Sequence, residues 1–213
     1  MDTTFSQTEY SSQEFKKLLL KSTRVLQKDF VSCTFSKCNF AESIFQECRF
    51  HECKFKECDL SLVNLKECAF NSTRFENSQV IGVDWTQTAW AKNKFIVFKP
   101  VDFVDCVLNH STFSGLKMKQ IQIVRCIAHD VSFEEADLTQ ADCTFTDFNS
   151  SRFMHTNLTE ANFTGATNYT IAPQFNVLKK TKFSLPEAMA LLYGLDIILT
   201  DRQIMESLPG GII

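Results

Sequence analysis

Glycine and proline are scarce in this chain. Its 213 residues hold 6 Gly and 4 Pro, where average usage is about 7% and 5%. That scarcity excludes collagen-like and linker-like chains, and it argues against a β-sandwich held by many Gly- and Pro-rich turns. No run of 18 apolar residues occurs, so no membrane-spanning helix is expected. Met1-Asp-Thr-Thr-Phe5 lacks a basic stretch followed by an apolar one, so no secretory signal is expected and a cytoplasmic location is. Basic excess is also missing. The chain has 22 Lys+Arg against 25 Asp+Glu, a net charge of −3, which argues against direct nucleic-acid binding.

Catalytic signatures are absent as well. There is no Gly-rich phosphate loop and no Gly-x-Ser-x-Gly elbow. The 9 Cys contain no Cys-x-x-Cys pair, and the 4 His share no ligand spacing. No enzyme, metal or cofactor is therefore expected, and all the thiols are expected to be free.

What the chain does have is 21 Phe, and they recur every five residues. From Phe30 the fives read Phe35, Phe40, Phe45, Phe50, Phe55, Leu60, Leu65, Phe70, Phe75, Val80, Trp85, Trp90 and Phe95. The ladder restarts at Phe103 and runs to Phe163, through Leu108, Phe113, Phe133, Leu138, Phe148 and Phe153. Fifteen of the 21 Phe lie on it. Two places before each central residue stands a compact one: Cys33, Cys38, Cys48, Cys53, Cys58, Cys68, later Cys106, Cys126, Ala136, Ala141, Ala161 and Ala166. The remaining positions are mostly polar.

A period of five fits neither a helix nor a flat strand. It fits a chain that turns a corner at each quintet, so that four quintets close one square coil and residues 20 apart stack. Cys33 with Cys53, Cys38 with Cys58, Cys48 with Cys68 and Cys106 with Cys126 obey that spacing. The same rule predicts a column Phe35, Phe55, Phe75, Phe95 and a like-charge column Lys54, Arg74, Lys94. The step of eight from Phe95 to Phe103 implies three inserted residues. The stacked Cys are expected to act as small core hydrophobes.

Ala136-Asp137-Leu138, Ala161-Asn162-Phe163, Cys38-Asn39-Phe40 and Cys58-Asp59-Leu60 resemble the A(D/N)LxX consensus of the pentapeptide-repeat family. The resemblance covers roughly residues 29–168. It implies an all-β solenoid, a right-handed quadrilateral β-helix of about seven to eight coils with a C-terminal α-helix. Residues 1–28 are expected to form an N-terminal cap or a degenerate first coil, with a short helix at Ser12–Lys21 as the other reading. Residues 29–168 are the repeat, with a register break at 96–102. Residues 169–213 carry a helix begun by Ser184, Pro186 and Glu187 and ended by Gly194, then a short strand and a tail.

Charge is uneven along the rod. Residues 101–176 hold 4 basic and 9 acidic side chains, whereas residues 1–100 hold 14 and 12. The acidic candidates for partner binding are Asp102, Asp105, Asp130, Glu134, Glu135, Asp137, Asp142 and Asp147. A second candidate is the break itself, Ile96, Val97, Phe98, Lys99 and Pro100, either an apolar bulge between lysines or a segment tucked into the core. A third is an apolar C-terminal face of Leu185, Ala188, Leu191, Leu192, Leu195 and Ile197, covering the last coil or joining a second copy.

Further segments, among them Gly82-Val-Asp-Trp85, Ser111-Thr-Phe-Ser-Gly-Leu116 and Lys182-Phe-Ser-Leu-Pro-Glu-Ala188, look like the family's topoisomerase-protecting branch, closest to its albicidin-resistance members. The resemblance implies a homodimer joined through the C-terminal helix. It also implies a rod that mimics DNA in shape and charge, and binding to DNA gyrase or topoisomerase IV that shields the enzyme from quinolone-, albicidin- or microcin-type poisons. A non-catalytic scaffold or adaptor is the alternative.

Overall fold

The computed structural model describes residues 4–92, 99, 101–192, 195 and 197. The chain winds into a β-solenoid of about 8 turns, and every strand pairing among the described residues is parallel. One face is a six-stranded sheet of Glu14–Lys16, Thr34–Ser36, Lys54–Lys56, Thr73–Glu76, Val101–Val104 and Ile123–Val124. A second face stacks Glu9–Ser11, Asp29–Val31, Arg49–His51 and Ala69–Asn71. Strands are only two to four residues long because each ends at the next corner. Coil-on-coil hydrogen bonds satisfy the backbone along the faces, as burial demands.

The five-residue period places one side chain per face on the axis. Phe30, Phe35, Phe40, Phe103, Phe113, Phe133, Phe148 and Phe163 are completely buried. Rings one coil apart lie nearly parallel: Phe35 on Phe55 at 4.7 Å, Phe55 on Phe75 at 4.8 Å, Phe113 on Phe133 at 5.5 Å. Such separations between parallel rings mean offset stacking, which the ring quadrupole prefers to a sandwich. Neighbouring faces meet edge-on, as Phe30 and Phe35 do at 75°.

Each corner places a residue in the left-handed region. Among the described residues 27 such positions are not glycine, with φ between 49° and 60°. The conformation costs roughly 1–2 kcal/mol per residue. The structure offsets this by giving the corner N–H a partner in the coil above: Ser32 to the His51 carbonyl, Glu57 to Glu76, Glu135 to Met154. At two of the glycine corners a neighbour lies across the turn. A Cβ on Gly82 would meet Leu62 Cδ2 at 2.6 Å, and one on Gly165 would meet Phe145 Cδ1 at 2.5 Å.

The register break is larger than the ladder implies. Phe75 pairs with Phe103, Arg74 with Asp102, and Asp84 with Thr112. Val83 and Ser111 are 28 apart where Val131 and Ser151 are 20 apart. The insertion is thus eight residues, not three. Ala89 N still bonds Cys68 O, and Ser72 N already bonds Lys99 O, so the extra residues fall between Ala89 and Lys99. The seat above Phe75 belongs to Phe103 rather than Phe95, and the column through Lys54 and Arg74 continues with Asp102 rather than Lys94. Stacking also continues past residue 168, to Lys182–Phe183 on Asn162–Phe163. At the N-terminal end Glu9–Ser11, Glu14–Lys16 and Arg24–Leu26 are strands of a regular coil.

The C-terminal helix expected from Ser184 is, among the described residues, a 3₁₀ helix at Glu187–Leu192. The strand expected after Gly194 and the tail Arg202–Ile213 lie outside the described residues, apart from Leu195 and Ile197.

Candidate partner-binding site

The thiols do more than fill space. Cys53 Sγ donates to the Phe30 carbonyl at 3.3 Å, Cys58 to Phe35 at 3.4 Å and Cys68 to Phe45 at 3.2 Å. Thr73, Ser78 and Thr156 use hydroxyls in the same way, on Phe50, Phe55 and Phe133. The compact ladder is therefore a ladder of donors to carbonyls one coil below, as well as of small side chains. All nine cysteines are free and buried. Burial pushes the Cys53 thiol up to about 12 and raises Cys143 as well, which leaves both unreactive. Among the described residues no group of three or more His, Cys, Asp or Glu is placed to hold a metal ion.

The acidic candidates lie on different faces, and most are engaged. Asp102 is buried, 8% exposed, where it accepts from Gln122 N at 2.8 Å and pairs with Lys99 at 2.6 Å. It is a strut beneath the break rather than part of an outer face. Asp105 takes a two-pronged contact from Arg125 at 2.7 and 2.8 Å, and that hydrogen bonding holds its carboxyl below the usual range. Glu134 faces Arg152 at 3.0 Å, Asp137 faces Lys119 at 3.4 Å and Asp130 faces His110 at 3.8 Å. Glu135 stands exposed at a corner.

Asp137, Asp142 and Asp147 have a second duty. Each accepts from the backbone N–H two residues on, at Thr139, Thr144 and Asn149, all at 3.1 Å. Asn157 and Asn162 do the same for Thr159 and Thr164. These Asx turns explain why Asp or Asn precedes the central residue. Asp147 also contacts His129 Nε2 at 2.8 Å and accepts from Asn168 at 2.9 Å. Burial works against its charged form, yet the hydrogen bonds from Asn168 and His129 prevail and lower its pKa.

Of the loop candidates, Lys99 is described and bound to Asp102, while Ile96, Val97, Phe98 and Pro100 lie outside the described residues. At the C-terminal end Leu185 is 77% exposed, and Leu195 and Ile197 are also exposed. Ala188 and Leu192 are half-buried, and Leu191 packs on the core together with Ala190. Phe145, Met154, Phe175, Val177 and Met189 add exposed apolar surface in the same third of the chain, which the period-five ladder does not mark.

Two family profiles, described as "Pentapeptide repeat region" and "Pentapeptide repeats (8 copies)", match residues 28–99 and 129–165. The chain belongs to the pentapeptide-repeat family. No curated protein matches it. Among solved structures it is similar to trypsin-treated QnrB1, a plasmid-mediated fluoroquinolone resistance protein. One QnrB1 variant aligns at 16% identity over 91% of this chain and 92% of that one, with a TM-score of 0.61. Another aligns at 15% identity over 88% and 100%, with a TM-score of 0.62. At these identities the likeness is one of fold.

Proposed function

We propose that this protein is a non-catalytic docking rod that binds a type II topoisomerase, DNA gyrase or topoisomerase IV, and protects it from a poison of the quinolone, albicidin or microcin type. The observation that carries the reading is the net −5 of residues 101–176 on a narrow, closed solenoid. A rod of that form presents its field to the basic, DNA-binding surface of such an enzyme. DNA carries a charge every ~1.7 Å of axis, so the mimicry is mainly of shape. Among the described residues Glu135 and Asp142 contribute charge without an ion pair to a basic side chain, and the break around Lys99 adds a contact off the rod's side. The exposed apolar end, with Leu185, Leu195 and Ile197, joins two copies into a homodimer in the cytoplasm.

A second reading, a scaffold or adaptor with no topoisomerase role, is favoured by the cross-coil pairing of Asp105, Glu134 and Asp137, which weakens the outward field. Supercoiling by purified gyrase, with and without a quinolone, separates the two. Rescue of activity as the protein is added is the expected result. Neither rescue nor inhibition at any concentration defeats the topoisomerase reading.

A further inference from the structure

A groove of about 500 Å³ opens at the N-terminal end of the rod, beneath the strand Arg24–Leu26. Phe5, Leu20, Arg24, Val25, Leu26 and Lys28 are among the residues that line it. The 20-residue rule would set a strand centred on Phe5 beneath Val25. Thr4 and Phe5 lie in a turn instead, and the Phe5 ring closes the axis against Tyr10, Phe15 and Phe30, at 5.6, 5.4 and 5.2 Å. Among the described residues Arg24–Leu26 therefore pairs on one side only, with Ile44–Gln46.

The backbone of that open edge is set for one more strand. One coil up, Ile44 N donates downward to Thr23 O at 2.8 Å, and Gln46 O accepts from Gln27 N below it at 2.9 Å. Arg24 N and Leu26 O are the equivalent groups 20 residues earlier, and among the described residues neither has a partner. The other lower edges are blunted. Glu14–Lys16 carries its own ion pair at 2.8 Å, and beneath Glu9–Ser11 the Gln7 N–H donates to the Tyr10 hydroxyl at 2.7 Å. Charge marks what would fit the open edge. Arg24 is exposed and has no ion pair among the described residues. Lys28 stands where Cys48 stands one coil up. The Cys48 thiol donates to the Val25 carbonyl at 3.5 Å, whereas the Lys28 ammonium donates to the Gln7 carbonyl at 2.7 Å. Thr23 gives its hydroxyl proton to the Lys21 carbonyl at 3.3 Å, and Thr4 is also engaged. Among the described residues no carboxylate lines the groove, so two cations flank an apolar seat.

We infer that this edge is a docking site for an extended segment of a partner protein, added as one further strand, with an apolar residue between acidic ones. The period of two turns the middle residue inward beneath Val25 and its neighbours outward beside Arg24. Main-chain hydrogen bonds supply affinity, and the cations select the acidic neighbours. The assignment stands whether or not the partner is a topoisomerase.

Titration of the full-length chain with a capped pentapeptide that alternates valine and aspartate, valine first, tests it through the amide resonances of Arg24 and Leu26. A saturable shift is expected. Arg24→Gln, a change at an exposed side chain, should weaken binding about fivefold through loss of a charge-assisted contact. N-methylation of the valines removes the donor to Leu26 O and should weaken binding about tenfold. Lysine in place of aspartate should abolish the shift. No saturable shift, or equal affinity in the parent and in Arg24→Gln, overturns the site. Equal affinity for the N-methylated peptide overturns strand addition, and equal affinity for the lysine peptide overturns the selection of acid. The same shifts on concentrating the chain alone would give the edge to a second copy and overturn the partner assignment.

Discussion

The two halves of the rod use the same five-residue step with different chemistry. Below the break, compact positions are mostly cysteine, and at Phe30, Phe35, Phe50 and Phe55 the central carbonyl accepts from a side chain in the next coil: Cys53, Cys58, Thr73 and Ser78. Above the break, Ala136, Ala141, Ala161 and Ala166 close their corners with their own N–H, to the carbonyls of Phe133, Leu138, Leu158 and Phe163. Alanine has no side-chain donor, so there the backbone closes the turn locally, and an Asp or Asn one residue before the centre often caps it. Both devices occur in both halves, since Thr156 donates to Phe133 across coils above the break and Ser43 and Cys68 close their own corners below it; the halves differ in how often the compact residue brings a side-chain donor. The acid excess of the upper half follows partly from its caps, which are often Asp.

Four experiments break or sharpen that contrast. The largest effect belongs to the core. Phe55→Ala and Phe133→Ala should each cost about 3–5 kcal/mol. In a stack where coils touch only their neighbours, hydrogen exchange should rise first in the half that carries the change. Next is the thiol ladder. Cys53→Ala removes the side-chain donor to the Phe30 carbonyl and should cost about 0.5–1.5 kcal/mol for the lost hydrogen bond. Cys53→Ser should recover most of that, since Ser78 already plays this part on Phe55; denaturant unfolding measures both, and equal losses would show that the thiol acts by volume alone.

A smaller effect separates cap from charge. Asp137→Asn keeps an acceptor for Thr139 and should change stability by less than about 0.5 kcal/mol, whereas Asp137→Ala should lose about 1 kcal/mol. If the residue also serves a partner by charge, both variants weaken binding alike. The smallest effect is acid sensitivity. Asp29, Asp105 and Asp147 all have lowered folded-state pKa values. Their stabilisation is present above the unfolded aspartate value of about 3.9 and is lost as pH falls through the folded ones. Thermal midpoints should therefore drop below about pH 4, and Asp105→Asn should flatten the dependence.

Much of the fold was legible because a side chain on the axis must be apolar at every fifth residue, whatever lies above it. Phe30 through Phe75 and Phe103 through Phe163 needed no partner to declare themselves. Low glycine misled in part. It argued against a turn-rich fold, yet the corners of this fold are turns filled by Ser, Glu and Gln, whose left-handed backbone is held by the coil above. The functional candidates were less legible. Asp102 reads as one more acid, and only its seat above Arg74 and beside Lys99 makes it a buried strut. The open edge at Arg24–Leu26 has no mark in the sequence, because Phe5 keeps the five-residue step there.

The sequence by itself determined the period, the inward-facing ladder and the pairing of cysteines 20 apart, because these are local and repeat. Only the tertiary structure decided the size of the insertion, the donor role of the thiols and which charges neutralise each other. Each of those depends on which residues meet one coil away. Eight inserted residues shift that meeting for everything beyond the break, while the five-residue pattern on either side stays the same.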